Sequence, residues 1–246
     1  MKILGIDTAT WTAGVAVIHE QATLAEHREV RAASPKGERS GRSADLLVTI
    51  DDVCRRAGVA PSALDAIAIG AGPGSFTGLR IGMATAKGIA FAARRPLWAV
   101  SSLAALARDA ELHLAGERDR VIVAVLDARR AEVFAGCYLD GVLLAPERVL
   151  APAELAAWVQ ELARARPTSF AGDALGAFPD VLAPLAASWL PIATPSGVAV
   201  AQLTLAGARV DVLTDGTPTY IRPSEAEVMY PDGVPGALPG SRPRRP

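Results

Sequence analysis

The chain is organised around the stretch from Ala66 to Ala93, which reads AIAIGAGPGSFTGLRIGMATAKGIAFAA. An apolar run of strand length occupies residues 66–70, and a Gly-Pro-Gly turn follows at residues 72–74. A helical pattern comes next. Either Ser75 or Thr77 is suited to cap it, because a hydroxyl oxygen accepts one of the free backbone N–H groups of the first turn. The stretch therefore predicts a strand, loop and helix unit.

The helix of this unit carries more small residues than its own stability favours. Each glycine in a helix interior costs about 1 kcal/mol relative to alanine. At four-residue spacing the small residues form two rows on roughly opposite sides of the helix. These rows are Gly78, Gly82, Ala86 and Ala90, and Ala84, Gly88 and Ala92. A helix that is slim on two sides predicts two close neighbours, its own sheet and a second helix from the same chain or a partner. Tight internal packing is the alternative explanation.

A carboxylate at the end of the first predicted strand marks a candidate phosphate site. Residues 2–7 alternate and end in Asp7, and a hydroxyl-rich turn that begins with Thr8 leads into a second strand. This arrangement resembles the first phosphate loop of the actin, sugar-kinase and Hsp70 class of ATPases. Gly172 and Asp173 lie where such a fold brings a second glycine turn near adenosine. The simpler interpretation is that Asp7 and Thr8 close a β-turn.

Composition limits the classes of protein to which this chain can belong. With 246 residues, of which 50% are hydrophobic, the chain is long enough to bury a sizeable core. A formal net charge of −1 argues against the broad basic surface of an autonomous RNA binder. The sequence has no apolar run of membrane-spanning length and no signal-like N-terminus, which predicts a cytoplasmic protein. We expect Cys54 and Cys137 to be reduced core thiols, without disulfide or zinc.

The order of predicted elements repeats itself along the chain. Residues 1–110 predict an α/β subdomain of β-β-β-α-β-α character, and residues 111–195 predict a second one. A helix over about 196–210 is expected to return to the first subdomain. Residues 224–246 are rich in Pro, Gly and Arg and predict a disordered tail. Two such halves suggest a duplicated ribonuclease-H-like α/β core.

Four motifs follow one another along the chain. They are IDTAT at residues 6–10, GPGSFTGLR at 72–80, LDARRAEVF at 126–134 and PTYIR at 218–222. In order and separation they resemble the TsaB (YeaZ) family of bacterial tRNA threonylcarbamoyladenosine biosynthesis proteins. The resemblance covers about residues 1–223. It implies the duplicated ribonuclease-H-like fold that actin, sugar kinases and the Hsp70 ATPase share.

The resemblance also implies a function in making N6-threonylcarbamoyladenosine (t6A) in tRNA. In that system another enzyme makes threonylcarbamoyl-adenylate, and the subunit TsaD transfers the threonylcarbamoyl group to the tRNA. The resemblance implies that this chain is the non-catalytic dimerisation partner and activator of TsaD, that the ATPase TsaE joins them, and that tRNA is bound only through the complex. Without TsaD, two copies are expected to form a homodimer. No cofactor is implied beyond weak binding of ATP or ADP.

We expect the TsaD interface on two helices, one from Ser43 to Ala57 and one from Thr77 to Ala93. Apolar and small-residue faces on these helices are suited to be covered by a partner. The residues predicted for the interface are Leu46, Leu47, Ile50 and Cys54 on the first helix and Leu79, Gly82, Met83 and Ala86 on the second.

No catalytic or metal-binding residue is predicted. Ser102 and Leu106 stand where the resemblance places the metal-binding histidine pair of TsaD, and a leucine cannot ligate a metal. Arg42 stands where many relatives have a histidine, and an arginine does not act as a neutral base. The alternative is an active small-molecule kinase or ATPase of the same fold, which would use Asp7 with Asp127 as the second acid. A protease is a third hypothesis, but the sequence has no visible pair of nucleophile and base.

Overall fold

The structure is a computed structural model that describes residues 1–28, 42–115, 117–207 and 210–221. The predicted disorder of residues 224–246 concerns residues outside these ranges. The strands of the described ranges are β1 (Lys2–Asp7), β2 (Gly14–His19), β3 (Ala22–Arg28), β4 (Ala66–Gly70), β5 (Leu97–Val100), β6 (Val121–Arg129), β7 (Glu132–Leu139), β8 (Val142–Leu143), β9 (Arg148–Leu150), β10 (Thr168–Ala171) and β11 (Val210–Asp211).

The helices lie mostly where the sequence pattern predicts them. They are α1 (Arg42–Ala57), α2 (Phe76–Ala93), α3 (Ser102–His113), α4 (Leu155–Ala163), α5 (Ala174–Ala177), α6 (Pro179–Leu182) and α7 (Gly197–Leu205). Of the two candidate caps of α2, Ser75 is the one used, and its hydroxyl accepts the N–H of Gly78. Ser101 and Ser196 cap α3 and α7 in the same way.

The first sheet has the strand order β11-β5-β4-β1-β2-β3. Strands β1, β2 and β3 form an antiparallel meander, while β4 and β5 run parallel to β1 because a helix separates each of them from the preceding strand. All five residues of β4 are buried, as expected for a central strand that is covered on both faces. Helices α1 and α2 pack on one face of this sheet.

The second sheet repeats the plan in shorter form. Strands β6 and β7 are antiparallel, β8 and β9 both pair with β7, and β10 runs parallel to β6 after the crossover through α4. The sequence pattern predicts one strand over residues 142–149, but the structure has two short strands there, β8 and β9. The two sheets, each with an antiparallel part followed by a parallel strand, form the duplicated ribonuclease-H-like α/β fold that the sequence predicts.

Helix α3 lies between the two halves. Its buried residues Leu103, Leu106 and Ala110 pack with side chains of the second sheet, and its Ala105 packs with the first sheet and α7. Helix α7 lies close against β1 and β2, where the backbones of Gly5 and Gly197 meet: a Cβ at position 5 would lie 2.0 Å from the carbonyl oxygen of Gly197. The division of the chain at residues 110 and 195 stays a prediction.

None of the helices within the described ranges is long and apolar enough to cross a lipid bilayer.

Candidate functional site

The carboxyl ends of β1 and β4 meet the first residue of α3. Strands β1 and β4 are parallel neighbours, so Asp7 and Gly70 end side by side. The Oδ2 atom of Asp7 accepts a 2.7 Å hydrogen bond from Ser102 Oγ, and Oδ1 accepts a 2.8 Å bond from the backbone N–H of Ala9. A Cβ at position 70 would lie 1.8 Å from Oδ2 of Asp7, so the carboxylate fits there only because residue 70 is glycine.

Burial governs the electrostatics of Asp7. The side chain is 1% exposed, and desolvation raises the pKa of its carboxyl from 3.8 to about 6, with Asp109 adding to the rise. The hydrogen bonds from Ser102 and Ala9 offset only part of this rise. Both oxygens of Asp7 accept bonds within the protein, and the side chain is almost inaccessible. A nucleotide or a hydrated Mg²⁺ could therefore reach the carboxylate only if the residues that cover it moved.

Thr8, the second predicted nucleotide-binding residue, connects the β1–β2 loop to α2 by a hydrogen bond. Its hydroxyl donates a 2.9 Å hydrogen bond to the carbonyl oxygen of Gly78. A Cβ at position 78 would lie 2.2 Å from the carbonyl oxygen of Thr8, and a Cβ at position 82 would lie 2.2 Å from Thr8 Oγ1. The first small-residue row of α2 therefore admits the protein's own loop. The sequence predicts the sheet and a second helix as close neighbours of α2, whereas the residue that lies against this row is in a loop.

Gly172 and Asp173 occupy the corresponding edge of the second sheet, after β10. Gly172 has a φ of +132°, and a Cβ there would lie 1.8 Å from the carbonyl oxygen of Val125. Asp173 Oδ1 accepts a 2.8 Å hydrogen bond from the backbone N–H of Asp127. Burial is the main cause that raises the pKa of Asp173 to about 6; the hydrogen bond from the Asp127 backbone and the charge of Arg129 lower it, and the charge of Asp127 raises it. All four residues of the predicted nucleotide site thus take part in internal contacts, and the site itself stays a prediction.

The loops of the two sheets meet through Arg129, which belongs to the LDARRAEVF motif, and Trp11, which the sequence reasoning did not select. The guanidinium of Arg129, in the last position of β6, lies 4.4 Å from the ring centroid of Trp11 in the β1–β2 loop. The same guanidinium forms a 2.7 Å ion pair with Asp127. Trp11 is 58% exposed. The sequence signals for this contact were an arginine in the LDARRAEVF motif and a tryptophan next to a candidate phosphate loop, but neither indicates the pairing.

Ser102 and Leu106 of α3 stand at the positions that the resemblance assigns to the metal-binding histidine pair of TsaD. The hydroxyl of Ser102 bonds to Asp7, and Leu106 is fully buried in the core between the halves. Across residues 1–28, 42–115, 117–207 and 210–221, no group of three or more His, Cys, Asp or Glu side chains is arranged to hold a metal ion.

Helix α2 has one face in the core and one in solvent. The second small-residue row faces outward: Ala84, Gly88 and Ala92 are exposed, and a Cβ at position 88 would meet no atom within 4 Å. Phe91 lies on the same side and is 81% exposed. In the described part of the chain no atom lies close to position 88, so a close neighbour on this outer side stays a prediction.

The residues chosen from the sequence for the partner interface mostly face inward. Among them only Leu47, at 55%, is exposed, and each of the others is at most 4% exposed or classed as buried. The reason is that the larger apolar side chains of an amphipathic helix turn toward its own sheet. The buried ones are Leu46, Ile50, Cys54, Leu79, Gly82, Met83 and Ala86. Leu47 is thus the one residue of this predicted set with an exposed side chain, and the interface itself stays a prediction.

A groove of about 490 Å³ separates α1 from the C-terminal half of α2. Its lining is largely apolar and includes Leu47, Ile50 and Cys54 of α1 and Ile89 and Ala92 of α2. Three of the sequence-selected residues thus form a wall of this groove, although two of them are nearly inaccessible. The groove and the outer row of α2 form one continuous apolar surface, because Ala92 belongs to both.

Comparisons with known proteins agree with these motifs and this fold. A family model described as TsaD, tRNA N6-adenosine threonylcarbamoyltransferase, matches residues 21–229. The TsaB protein of Bacillus subtilis is 33% identical over 177 residues, which cover 70% of this chain and 71% of that protein. The TsaB protein of Escherichia coli is 37% identical over 134 residues, which cover 54% of this chain and 53% of that protein.

Solved structures give the same result over almost the whole chain. A crystal structure from Pseudomonas aeruginosa, described as similar to the peptidase YeaZ, has a TM-score of 0.71 and 33% identity, and the match covers 90% of this chain and 99% of that one. YeaZ from the same organism has a TM-score of 0.69 and 32% identity, with coverage of 89% and 100%. The chain therefore belongs to the TsaB (YeaZ) family of tRNA threonylcarbamoyladenosine biosynthesis proteins.

Proposed function

We propose that this chain acts in t6A biosynthesis as the non-catalytic partner and activator of the transferase subunit TsaD. Membership of the TsaB family supports a role of this chain in t6A biosynthesis. The match to a TsaD family model supports a shared ancestry of the two subunits. The proposal assigns the chemistry to TsaD. The Ser102 and Leu106 side chains support this assignment, because the first is bonded to a buried carboxylate and the second cannot ligate a metal.

The observation that carries the proposal is the outer face of α2. Gly88 stands in a helix interior where an alanine would fit without any contact, and glycine there costs about 1 kcal/mol. Nothing in the described part of the protomer compensates for this cost. A helix of a partner packed along Ala84, Gly88 and Ala92 would account for it, because small side chains let two helices approach closely.

The neighbouring residues support the same surface. Phe91 is the most exposed of the large hydrophobic side chains in the described ranges, and it stands beside the row. The α1–α2 groove continues the surface toward Leu47. A contiguous apolar patch on the solvent-exposed surface of a protein is typical of a site of protein association. We propose that TsaD covers the outer row and the groove, and that two copies of this chain pair through the same face when TsaD is absent.

Size-exclusion chromatography with light scattering on the chain mixed with TsaD from the same source tests this proposal. The informative variant is Gly88→Glu, which places a charge on the outer row at a position with free space around it. Met83→Glu is unsuitable, because Met83 is 4% exposed and the charge would disrupt the core. Gly176→Glu is the matched control, since it makes the same change at another open position, on α5.

We expect the wild type and Gly176→Glu to form the mixed complex with TsaD, and Gly88→Glu to elute as separate components. A charge buried without a partner at an interface costs several kcal/mol, on the order of a hundredfold or more in affinity. If the wild type does not bind TsaD, the proposed function is wrong. If Gly88→Glu binds as well as the wild type does, TsaD uses another surface.

The kinase or ATPase alternative makes a different prediction. It requires Asp7 to act on a nucleotide together with Asp127, although Asp7 is engaged by Ser102 and Ala9. Metal-dependent ATP turnover by the purified chain that Asp7→Asn abolishes would favour this alternative over the scaffold role. We further propose that TsaE and tRNA bind the assembled complex and not this chain alone, and that the complex acts in the cytoplasm. Within the chain, we propose that the two subdomains divide at residues 110 and 195.

A further inference from the structure

An exposed cluster of one arginine and two aromatic rings stands at the N-terminal end of α2. The guanidinium carbon of Arg80 lies 3.8 Å from the ring centroid of Phe76. The centroids of Phe76 and Tyr220 are 5.3 Å apart, and Arg80 Nε donates a 3.2 Å hydrogen bond to the hydroxyl of Tyr220. Phe76 is 40% exposed and Tyr220 is 41% exposed, and Arg80 is exposed as well. We call these three residues the Arg80 cluster.

The cluster holds its arginine in a fixed orientation. Tyr220 is anchored by its neighbours in sequence: the N–H of Thr219 donates a 2.7 Å hydrogen bond to the carbonyl oxygen of Ala71, and Ile221 packs on the core between the halves. Stacking on Phe76 and the bond from Nε then restrict the guanidinium. An arginine ordered before binding loses less entropy when it forms a new contact.

The two terminal nitrogens of Arg80 are available for a ligand. In residues 1–28, 42–115, 117–207 and 210–221, neither Nη1 nor Nη2 has a hydrogen-bond or ion-pair partner, since the guanidinium contacts are those to Phe76 and Tyr220. This edge of a guanidinium matches the two oxygens of a carboxylate or a phosphate. The exposed edge therefore points to an anionic ligand.

The position of the cluster favours a carboxylate on a protein. Arg80, Ala84, Gly88 and Ala92 follow one another at four-residue spacing, so Arg80 begins the outer row of α2. A helix packed along that row passes Arg80 at one end. Residues 76–95 contain four basic residues and no acidic one, and the side chains of Arg80 and Arg94 are exposed, so the charge along this helix favours an acidic partner. The basic residues are Arg80, Lys87, Arg94 and Arg95.

We infer that the Arg80 cluster is an anchor that pairs with an Asp or Glu carboxylate on the partner helix and so fixes the register in which that helix packs. The inference rests on the proposed association with TsaD. It adds a directional contact to a surface that is otherwise apolar and made of small residues. Such a surface tolerates sliding, whereas a bidentate arginine pair at one end allows a single register.

The test measures the dissociation constant of the complex with TsaD by calorimetry for the wild type, Arg80→Gln, Arg80→Lys and Arg118→Gln. Arg118 is exposed on the loop before β6, and its replacement by Gln removes the same charge away from α2. We expect Arg80→Gln to weaken binding by about tenfold or more. Arg80→Lys keeps the charge but not the planar fork, so its affinity should lie between those of the wild type and Arg80→Gln. Arg118→Gln should bind like the wild type.

Salt dependence supplies a second readout. Affinity of the wild type should fall more steeply with added salt than affinity of Arg80→Gln, because the variant lacks one ion pair. Equal affinities for the wild type and Arg80→Gln, with Gly88→Glu still breaking the complex, would overturn the inference and leave the proposed function intact. Unchanged TsaD affinity together with weaker tRNA binding by the assembled complex would assign Arg80 to a phosphate instead, and would also overturn it.

Discussion

The hydroxyl of Ser102 donates a 2.7 Å hydrogen bond to Oδ2 of Asp7, which joins the first residue of α3 to the last residue of β1 across 95 positions of sequence. The hydroxyl oxygen of Ser102 also accepts a 3.1 Å hydrogen bond from the N–H of Gly72. Ser102 thus connects the carboxylate, the glycine turn and the helix between the two sheets. Asp7 ends the strand that precedes the predicted phosphate loop, and its carboxylate takes part in internal hydrogen bonds.

We predict that Ser102→Ala lowers the free energy of unfolding by about 1–3 kcal/mol, because it leaves the buried Asp7 carboxylate and the Gly72 N–H without one of their partners. Urea unfolding at neutral pH measures this change. Ser188→Ala, at an exposed position on the 3-10 turn after α6, is the matched control and should leave the midpoint unchanged. A midpoint for Ser102→Ala equal to that of the control would show that water or another group replaces the hydroxyl.

Asp7 makes stability depend on pH in a direction opposite to that of most acidic residues. Its pKa rises from 3.8 to about 6 on folding, because burial penalises the charged form. Between these values the folded protein binds more protons than the unfolded chain, so the contribution of this group to stability falls as pH rises through the window. We predict that the stability of Asp7→Asn relative to the wild type rises by about 2 kcal/mol between pH 4 and pH 7.

Urea unfolding at several pH values checks this prediction, with Asp65→Asn as the control of opposite sign. The pKa of Asp65 is lowered on folding, chiefly by the hydrogen bond from the backbone N–H of Lys2. Its contribution is therefore present above the unfolded pKa and lost as pH falls, so Asp65→Asn should lose ground against the wild type as pH rises. A stability difference between Asp7→Asn and the wild type that does not change with pH would contradict the assigned pKa.

A second buried acid, Asp109 of α3, connects this helix to β3 and to the start of α7. Asp109 forms a 3.0 Å ion pair with Arg28 and accepts hydrogen bonds from both the N–H and the hydroxyl of Ser196. We predict that Asp109→Ala destabilises the protein by about 2–4 kcal/mol, since one cation and two donors lose their acceptor. Asp51→Ala removes an acid paired with Arg55 on the surface of α1 and should change stability by less than about 0.5 kcal/mol. Thermal unfolding of both variants makes the comparison, and similar losses would refute the assignment.

Local patterns were sufficient to predict most elements of the fold. Alternation in residues 2–7 and 14–19 gave the β1–β2 hairpin, and the apolar run before Gly72 gave a central strand. Short elements were less predictable, because their pairing depends on distant residues. β11 consists of only two residues and exists because Val210 lies opposite Ala99 of β5. Residues 142–149 likewise form two strands that pair with different parts of β7.

Side-chain partners at the site were beyond the reach of sequence reasoning. The position of Ser102 was noted only as one that lacks a histidine, and its bond to Asp7 depends on how α3 is placed by the whole fold. Phe76 and Arg80 stand at helical i, i+4 spacing, which predicts a contact, but the third member of the cluster, Tyr220, comes from 140 positions away. Spacing along one helix is local information, whereas long-range pairs are fixed only by tertiary structure.

Two glycines of α2 provide the sharpest test of how the helix is used. Gly82 and Gly88 belong to different small-residue rows of the same helix. A Cβ at position 82 would lie 2.2 Å from Thr8 Oγ1, whereas a Cβ at position 88 would meet nothing within 4 Å. We predict that Gly82→Ala destabilises the isolated protomer by about 1–3 kcal/mol through overpacking. Gly88→Ala should stabilise it by about 0.5–1 kcal/mol, because alanine has the higher helix propensity.

Chemical denaturation of the wild type and both variants, each without TsaD, gives the two signs directly. Because both substitutions add one methyl group to the same helix, a difference in sign can come only from what surrounds each position. A gain in stability for Gly88→Ala would mean that the isolated protomer does not need glycine at this position to fold. It would support close approach of a partner as the reason for the glycine. Destabilisation by both substitutions would mean instead that the outer row also serves the fold of the protomer, and the docking surface would then have to be sought elsewhere.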